Sequence, residues 1–335
     1  MRYQEHKLAV APMMDWTDRH CRFFHRQLTK RALLYSEMVT ADAVIHGDRE
    51  RLLGFSDAEH PLALQLGGSD PSKLAEAARI GAEYGYDEIN LNVGCPSDRV
   101  QNGTFGACLM RTPVLVGACI AAMKQAVTVP VTVKCRIGVD EQEPGPALDA
   151  LADCVLSSGA DALWVHARKA WLQGLSPKQN RDVPPLDYER VYALKQRHRN
   201  VFVGINGGIT TLEEAKVHLD HVDGVMLGRA AYHDAGLLTG VDAFLSGDEA
   251  AAFDWDELAQ TMIAYSEAQM ARGVRLAAIT RHMIGLFHGK PGARRYRQIL
   301  SEEARLEAAR PDIIAHAFSA VHPPLLETAR QSRVG

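Results

Sequence analysis

The sequence predicts an α/β protein, a closed (β/α)8 TIM barrel of parallel strands followed by a small all-helical domain. The first observation is that eight short apolar runs alternate with helical patterns over roughly 240 residues, the count and length of such a barrel. The second is that apolar residues beyond residue 250 recur at helical spacing with almost no strand signal. An open doubly wound sheet is the alternative, and it is disfavoured because no GxGxxG motif follows the first strand.

The predicted strands are short runs rich in Val, Ile and Leu, bounded by turn-forming residues. They cover residues 8–11, 33–39, 62–66, 88–91, 131–135, 162–165, 201–205 and 224–227. Capping sequences mark the helix starts between them. The pairs Asp70-Pro71 and Thr112-Pro113 combine an N-cap with proline at the first helical position, and Thr211-x-x-Glu214 has the form of a capping box.

Two domains follow from this pattern, a barrel over residues 1–245 and a helical domain over residues 250–330. In the second, Asp254 predicts a helix start before Leu258, Met262 and Tyr265, which share one helical face. Further helical patterns surround residues 272–288, 296–309 and 312–320. The alternative is that these helices merely extend the outer ring of the barrel.

Composition disfavours several classes of protein. No run reaches the roughly 18 apolar residues of a membrane-spanning helix, and the polar N-terminus lacks the apolar core of a signal peptide. The six cysteines are scattered without a CxxC pair, so we expect reduced thiols rather than a disulfide framework or a metal site. These features predict a cytoplasmic protein with no membrane contact, and nothing implies an obligate protein partner.

The charge of the chain is unevenly distributed. The net charge is −4, yet residues 271–300 contain no Asp or Glu and carry seven Lys and Arg residues, so this basic window is +7 and the remainder is −11. A block of one sign on an acidic protein predicts contact with a polyanion. The alternative is an ordinary solvated helix face.

Polar residues cluster where the predicted strands end, and in a barrel of this kind the chemistry occurs at that edge. Asn206-Gly207-Gly208 and Gly228-Arg229 follow strands seven and eight, where barrels often bind phosphate. Glycines let backbone N–H groups approach an anion, and Arg229 can pair with it. This pattern does not separate a phosphorylated substrate from a cofactor such as FMN.

Lys134, on strand five, favours a flavin cofactor over a phosphorylated substrate. A cation in a crowded site suits an acceptor that becomes anionic, as reduced flavin does. Gln65 is placed to bond another polar edge of the ring, and the apolar stretch Pro12-Met13-Met14 is placed to contact its surface. The alternatives are a lysine that pairs with a carboxylate or one that forms a Schiff base.

Cys95 lies in the most informative segment, Asn92-Val93-Gly94-Cys95-Pro96, directly after strand four. Gly and Pro fix the turn, which places the thiol at a site, although a buried structural cysteine is the common alternative. An ordinary thiol has a pKa of about 8.5 and is protonated near pH 7, which suits a proton donor. No neighbour in sequence provides the pairing that a nucleophile requires, although His166 could do so in space.

Seven segments together resemble the tRNA-dihydrouridine synthases, in order along the whole barrel. They are Ala11-Pro12-Met13-Met14-Asp15, Gln65-Leu66-Gly67-Gly68, Asn90-Leu91-Asn92-Val93-Gly94-Cys95-Pro96, Val133-Lys134-Cys135-Arg136, His166-Ala167-Arg168, Asn206-Gly207-Gly208-Ile209 and Met226-Leu227-Gly228-Arg229. The loop at residues 169–181 resembles the bacterial A-type subfamily, which acts on uridines 20 and 20a of the tRNA D-loop.

The resemblance implies an FMN-bearing barrel and a helical tRNA-binding domain. In this family NADPH reduces the flavin, reduced flavin gives hydride to C6 of uridine, and a cysteine, here Cys95, protonates C5. The implied FMN contacts are Pro12, Met13, Met14, Gln65, Lys134, His166, Asn206, Gly207, Gly208, Gly228 and Arg229. The implied tRNA contacts are Asn92, Lys178, Arg181, Arg294 and Arg297.

The target base lies inside folded tRNA and must leave its stack, at a cost of a few kcal/mol that phosphate contacts must offset. Two alternatives remain at this point. One is an FMN-dependent barrel oxidoreductase for a small metabolite, of the dihydroorotate or enoate type, which has no use for the basic window. The other is a non-catalytic RNA-binding barrel.

Overall fold

The structure, a computed structural model, describes residues 3, 6–97, 105–249 and 251–322. The chain divides into two compact units. The first comprises Met1–Arg19 and Arg31–Gly228, and the second comprises His20–Lys30 and Arg229–Gly335.

The first unit is built on a closed barrel of eight parallel strands in sequential order. The strands are β1 (Leu8–Val10), β2 (Leu33–Thr40), β3 (Leu62–Gly67), β4 (Glu88–Val93), β5 (Val131–Arg136), β6 (Ala162–His166), β7 (Phe202–Asn206) and β8 (Gly224–Leu227). Each predicted strand is present, and its ends lie within two residues of the prediction. Because β8 pairs with β1, with Ala9 opposite Met226, the predicted barrel is confirmed and the open sheet is excluded.

Helices connect the strands and form the second unit. They are α1 (Arg19–Leu28), α2 (Ala41–His46), α3 (Arg49–Leu53), α4 (Pro71–Tyr84), α5 (Pro113–Ala126), α6 (Pro144–Ser157), α7 (Tyr188–Arg197), α8 (Leu212–Leu219), α9 (Arg229–His233), α10 (Val241–Ser246), α11 (Trp255–Met270), α12 (Leu276–Thr280), α13 (Ala293–Glu302) and α14 (Ile313–Ser319). Among the described residues, none of these helices combines the length and the apolar character that a bilayer span requires.

The barrel interior is filled by side chains of very different size, as a closed barrel of eight strands requires. Trp164, Tyr35 and Phe202 are buried there beside small residues such as Ala9 and Ala63. Gly204 makes room for the indole, since a Cβ at this position would lie 2.2 Å from Trp164 Cε3. The barrel is therefore a packed core, and ligands can be received only at its ends.

The predicted helix caps are present to different degrees. The Asp70 carboxylate accepts hydrogen bonds from the Ser72 and Lys73 N–H groups, as predicted. Thr112 precedes α5 but does not cap it, because its hydroxyl donates to the Leu109 carbonyl instead. The Thr211 hydroxyl caps α8 by accepting from the Glu214 N–H. Proline at the first position was thus the more reliable signal at α5.

In the described residues 229–249 and 251–322 of the second unit there are helices and turns but no strand. Asp254 caps α11 as predicted, and Leu258, Met262 and Tyr265 are buried. The helical prediction for residues 272–288 was wrong over 281–288, which form turns rather than helix.

An early segment of the chain also belongs to the second unit. The Phe23 and Tyr265 rings are stacked with centroids 3.8 Å apart, and Thr29 donates to Asp242 at 2.5 Å. The predicted domain limits, 1–245 and 250–330, stay predictions, and residues 323–330 lie outside the described residues.

Candidate active site

Three amide side chains form a buried network near the carboxyl ends of β3 and β4. Gln65 Nε2 donates to Asn90 Oδ1 at 2.8 Å, and Asn92 Nδ2 donates to Gln65 Oε1 at 2.8 Å. Asn90 Nδ2 donates in turn to the Thr132 hydroxyl at 2.7 Å. Gln65 is thus fixed in orientation, and one of its N–H groups is still available for a ligand. Asn92 has a structural task in addition to the RNA contact predicted for it.

Asn92 also shapes the turn that carries Cys95. Its Oδ1 accepts from the Gly94 N–H at 3.0 Å and from the Cys95 N–H at 2.9 Å. Gly94 also packs closely on β5, because a Cβ there would lie 3.2 Å from the Cys135 carbonyl carbon. The turn is consequently held by two backbone bonds to one side chain.

The Cys95 thiol is half-buried and 3.5 Å from the Ser97 hydroxyl. Cys21, Cys119 and Cys135 are buried, and burial raises the pKa of Cys135 to about 12. A buried thiol of that kind is inert, whereas Cys95 is within reach of a ligand. Because Cys95 follows the end of β4, its thiol belongs to the strand-end region of the barrel.

Lys134, on β5, is half-buried and donates to Asn206 Oδ1 at 3.1 Å. Asn206 is itself oriented by donating Nδ2 to the Met226 carbonyl at 2.7 Å. Burial, followed by the charge of Arg136, lowers the pKa of Lys134 to about 8. No carboxylate among the described residues pairs with Lys134. The ammonium is thus a cation kept in place by an amide.

His166 ends β6 and is buried. Its Nδ1 has no hydrogen-bond partner among the described residues. Burial, together with the positive charges of Arg136 and Lys134, lowers the pKa of His166 well below its ordinary value. The imidazole is therefore neutral at pH 7, with an unsatisfied polar atom that a ligand could satisfy.

The two glycines after β7 form a cradle in backbone conformations that other residues rarely adopt. Gly207 and Gly208 have φ values of +118° and +74°. A Cβ on Gly208 would lie 2.6 Å from Leu186 Cδ1 and 2.9 Å from the Tyr188 hydroxyl. Around Gly228 the space is open, since a Cβ would meet only Asn206 Nδ2, at 3.8 Å. Such a bare backbone can approach an anion closely.

The chain after β1 contributes apolar surface. Met13 is anchored by its N–H, which donates to the Thr17 hydroxyl at 2.9 Å, and by its carbonyl, which accepts from Trp16 and Thr17 N–H groups. Pro12 and Met13 are half-buried, whereas the Met14 side chain is 53% exposed. This turn presents methionine side chains to solvent, which is unusual unless they contact a ligand.

The loop of residues 169–181, between β6 and α7, carries Lys178 and Arg181. Both side chains are exposed. The charge of Arg181 contributes to the lowered pKa of Lys134 and His166, so Arg181 lies within electrostatic reach of the strand ends. Arg229, Arg294 and Arg297 belong to the second unit, where Arg229 begins α9 and the other two lie on α13. Their predicted contacts with FMN and tRNA stay predictions.

The sequence did not single out Arg136 and Asn180 as site residues. The Arg136 guanidinium is 4% exposed and donates from Nε to the Gly94 carbonyl at 3.0 Å. Its Nη1 donates to the carbonyls of Lys169 and Asn180, both at 2.9 Å. Arg136 closes the segment Val133-Lys134-Cys135-Arg136, but nothing in the sequence marks its partners. Asn180 has no signal in the sequence.

Comparison with known proteins identifies the family. Residues 9–321 match the model of the dihydrouridine synthase family. A curated protein of Vibrio parahaemolyticus is 54% identical over 316 residues, which cover 94% of this chain and 97% of that protein. One of Xanthomonas campestris pv. campestris is 57% identical over 312 residues, covering 93% and 92%. One of Escherichia coli is 52% identical over 316 residues, covering 94% and 91%.

Each of these three relatives is named tRNA-dihydrouridine(20/20a) synthase. The family match spans nearly the whole described chain and includes every strand end discussed above. With its barrel, its ring of polar strand ends and these similarities, the chain belongs to the dihydrouridine synthase family of enzymes.

Proposed function

We propose that this enzyme reduces uridines 20 and 20a of the tRNA D-loop to 5,6-dihydrouridine, with FMN as cofactor and NADPH as reductant. The observation that carries the proposal is the placement of Cys95. Its accessible thiol follows the end of β4, in the same strand-end region as Lys134 and the unsatisfied imidazole of His166. The names of the relatives support the choice of tRNA and of positions 20 and 20a.

The residues present fit FMN. Among the described residues, Nδ1 of neutral His166 has no hydrogen-bond partner and the Lys134 cation pairs with no carboxylate. Gly207 and Gly208 form a cradle of backbone without side chains, with φ values of +118° and +74°. When bound there, FMN supplies a hydride after reduction by NADPH. Gln65, Lys134 and His166 would bind the ring edge, and the methionines after β1 would cover its face.

Cys95 supplies the proton of the reaction. Reduction of the C5=C6 bond needs a hydride at C6 and a proton at C5, and the thiol gives that proton while the Asn92 turn holds its backbone in place. Protonation from a side chain opposite the hydride donor requires the base to be turned out of its stack. Lys178, Arg181, Arg294 and Arg297 would hold the flanking phosphates while the base is extruded.

Membership of the family disfavours both alternatives raised by the sequence, the small-metabolite oxidoreductase and the non-catalytic RNA-binding barrel. The cytoplasmic location and the tRNA-binding role of the second unit are part of the same proposal. The direct test supplies purified enzyme, FMN and NADPH to tRNA transcribed without modifications, and maps dihydrouridine by position. We expect it at positions 20 and 20a. Dihydrouridine at other positions only, or none, would refute the proposal.

A further inference from the structure

Arg136 joins the two loops that the proposed reaction needs together. Within the described ranges, its three hydrogen bonds go to backbone carbonyls, one in the Cys95 turn, at Gly94, and two at the ends of the 169–181 loop, at Lys169 and Asn180. Burial lowers the pKa of Arg136 to about 10, which leaves the guanidinium charged at pH 7. Burying a charged group costs free energy. A buried guanidinium whose acceptors in the described residues are backbone carbonyls rather than a carboxylate therefore calls for an explanation.

The 169–181 loop is itself built around a single side chain. Asn180 Nδ2 donates to the carbonyls of Trp171, Leu175 and Ser176, at 2.8, 3.1 and 3.4 Å, while its Oδ1 accepts from the Trp171 N–H at 2.7 Å. Asn180 is fully buried. A shift of the loop at Asn180 would therefore be transmitted along its length, including to Lys178 and Arg181.

The start of the same loop is tied to the turn after β5. Val139 pairs with Ala170, the Asp140 N–H donates to the Ala170 carbonyl at 2.8 Å, and Asp140 Oδ1 accepts from the Leu172 N–H at 2.8 Å. The loop thus has two anchors, and one of them, Arg136, also bonds the Cys95 turn.

We propose that Arg136 is a positioning residue that keeps the thiol of Cys95 in register with the RNA-contacting loop at 169–181. It touches neither base nor cofactor in this account. When Lys178 and Arg181 bind phosphates, the 169–181 loop is held in place. The loop then fixes the Gly94 carbonyl through the Arg136 guanidinium, so that phosphate binding helps to position the Cys95 thiol for proton transfer. This inference rests on the proposed function, in which Cys95 is the acid and the loop binds tRNA.

The test uses Arg136→Lys, which keeps the charge but lacks the planar fork that reaches carbonyls in two loops. The matched control is Arg190→Lys, since Arg190 is half-buried and pairs with Asp149 of α6 rather than with carbonyls of the two loops. We expect Arg136→Lys to lower kcat by roughly tenfold to a hundredfold, the scale of a misplaced reacting group. NADPH-driven flavin reduction should be unchanged, as should both activities of the control.

A double-mutant cycle separates positioning from a merely structural role. Arg181→Ala is made in the wild-type and the Arg136→Lys backgrounds, and kcat/KM for tRNA is compared. If Arg136 couples the two loops, Arg181→Ala should reduce kcat/KM for tRNA by a factor at least threefold smaller in the Arg136→Lys background than in the wild type. A difference of this size corresponds to a measurable interaction energy. Equal losses in the two backgrounds, or wild-type kcat in Arg136→Lys, would overturn the inference.

Asn180→Asp provides an independent second variant if Arg136→Lys does not fold. It keeps the acceptor for the Trp171 N–H but loses the donor to three loop carbonyls. It should lower kcat and show the same coupling with Arg181→Ala, and a fully additive result would count against the inference. If the wild-type enzyme makes no dihydrouridine, the proposed function fails. If it does, but the cycles are additive, only the inference fails.

Discussion

At the scale of single residues, the reactive end of β4 is defined by Asn92 and Cys95. One amide oxygen holds two consecutive N–H groups, so the thiol is presented by a turn with little freedom. The position of Cys95 after β4 was predictable from the segment Asn92-Val93-Gly94-Cys95-Pro96, although that segment alone left a buried structural cysteine as the alternative. The part played by Asn92 in building the turn was not, because a side-chain bond to the backbone leaves no periodic signal.

Replacing Cys95 by Ala should stop product formation without disturbing the cofactor site. We expect the rate of dihydrouridine formation to fall by at least about a hundredfold, the lower end of the range for a lost general acid. The matched control is Cys154→Ala, because Cys154 is another half-buried thiol, on α6. Flavin absorbance and tRNA affinity should be those of the wild type in both variants. Full turnover in Cys95→Ala would remove this residue as the proton donor.

Lys134 gives the proposed flavin site a predicted pH dependence. Its pKa of about 8 lies below the ordinary value because burial disfavours the ammonium, so the group loses its charge as the pH rises through 8. A ligand oxygen that accepts from the ammonium is bound more tightly below this pH. The affinity for FMN, measured by fluorescence titration, should therefore fall between about pH 8 and pH 9.5. Lys134→Met should bind FMN more weakly and lose this step, and an unchanged step would show that another group causes it.

The hydrogen-bond partners of Arg136 could not be predicted from the sequence. Its partners Gly94, Lys169 and Asn180 are 33 to 44 positions away, and all three accept through the backbone. Since every residue has a carbonyl, no residue type in the sequence could identify these acceptors. Lys134 and His166 were predictable because their own side chains mark a strand end.

At the scale of elements, the turn after β7 depends on glycine. Gly208→Ala would place a methyl group 2.6 Å from Leu186 Cδ1 at a φ of +74°. We expect it to lower the free energy of unfolding by about 1–3 kcal/mol, as measured by urea denaturation, and to weaken FMN retention. The glycines were visible in the sequence, but the neighbours at Leu186 and Tyr188 that close the cradle were not.

Gly145→Ala is the control for this prediction. Gly145 lies in the first turn of α6, and a Cβ there meets nothing within 4 Å. We expect stability to be unchanged or to rise by up to about 1 kcal/mol, because alanine restricts the unfolded chain. If both substitutions destabilised the protein equally, the cradle would have no special requirement for glycine.

The barrel was the most predictable property at the scale of the whole molecule. Eight strands with helices between them leave few arrangements once right-handed crossovers are required. The assignment of His20–Lys30 to the second unit was not predictable, because Phe23 meets Tyr265 across more than 200 residues of chain. The turns at residues 281–288 were missed because glycines at 285 and 289 interrupt an otherwise helical pattern.

The basic window at residues 271–300 predicts salt-sensitive binding of tRNA. Six of its seven cations are exposed, and Arg297 is half-buried. Counterion release then makes the logarithm of affinity fall linearly with the logarithm of salt concentration. Arg294→Glu combined with Arg297→Glu should raise the KM for tRNA and flatten this salt dependence. Flavin reduction by NADPH, followed in a stopped-flow instrument, should be unaffected.

Arg310→Glu is the matched control for the charge reversal, since Arg310 is exposed in the second unit but lies outside the basic window. It should leave the KM for tRNA and its salt dependence close to those of the wild type. A comparable defect in this control would indicate that net charge, and not a defined surface, governs binding. Equal damage to flavin reduction and to tRNA turnover in the double variant would mean that α13 does not carry the RNA surface.

The hydrogen bonds by which Asn180 orders the 169–181 loop have a consequence for the thermodynamics of tRNA binding. Immobilising a residue on association costs roughly 1–2 kcal/mol in backbone entropy, and here the hydrogen bonds of Asn180 already order much of the loop. We therefore expect tRNA to bind a loop that is already ordered. Less of the free energy of each phosphate contact is then spent on ordering the loop, and more of it contributes to affinity. Loosening this segment should make binding more enthalpic and weaker, which titration calorimetry would register.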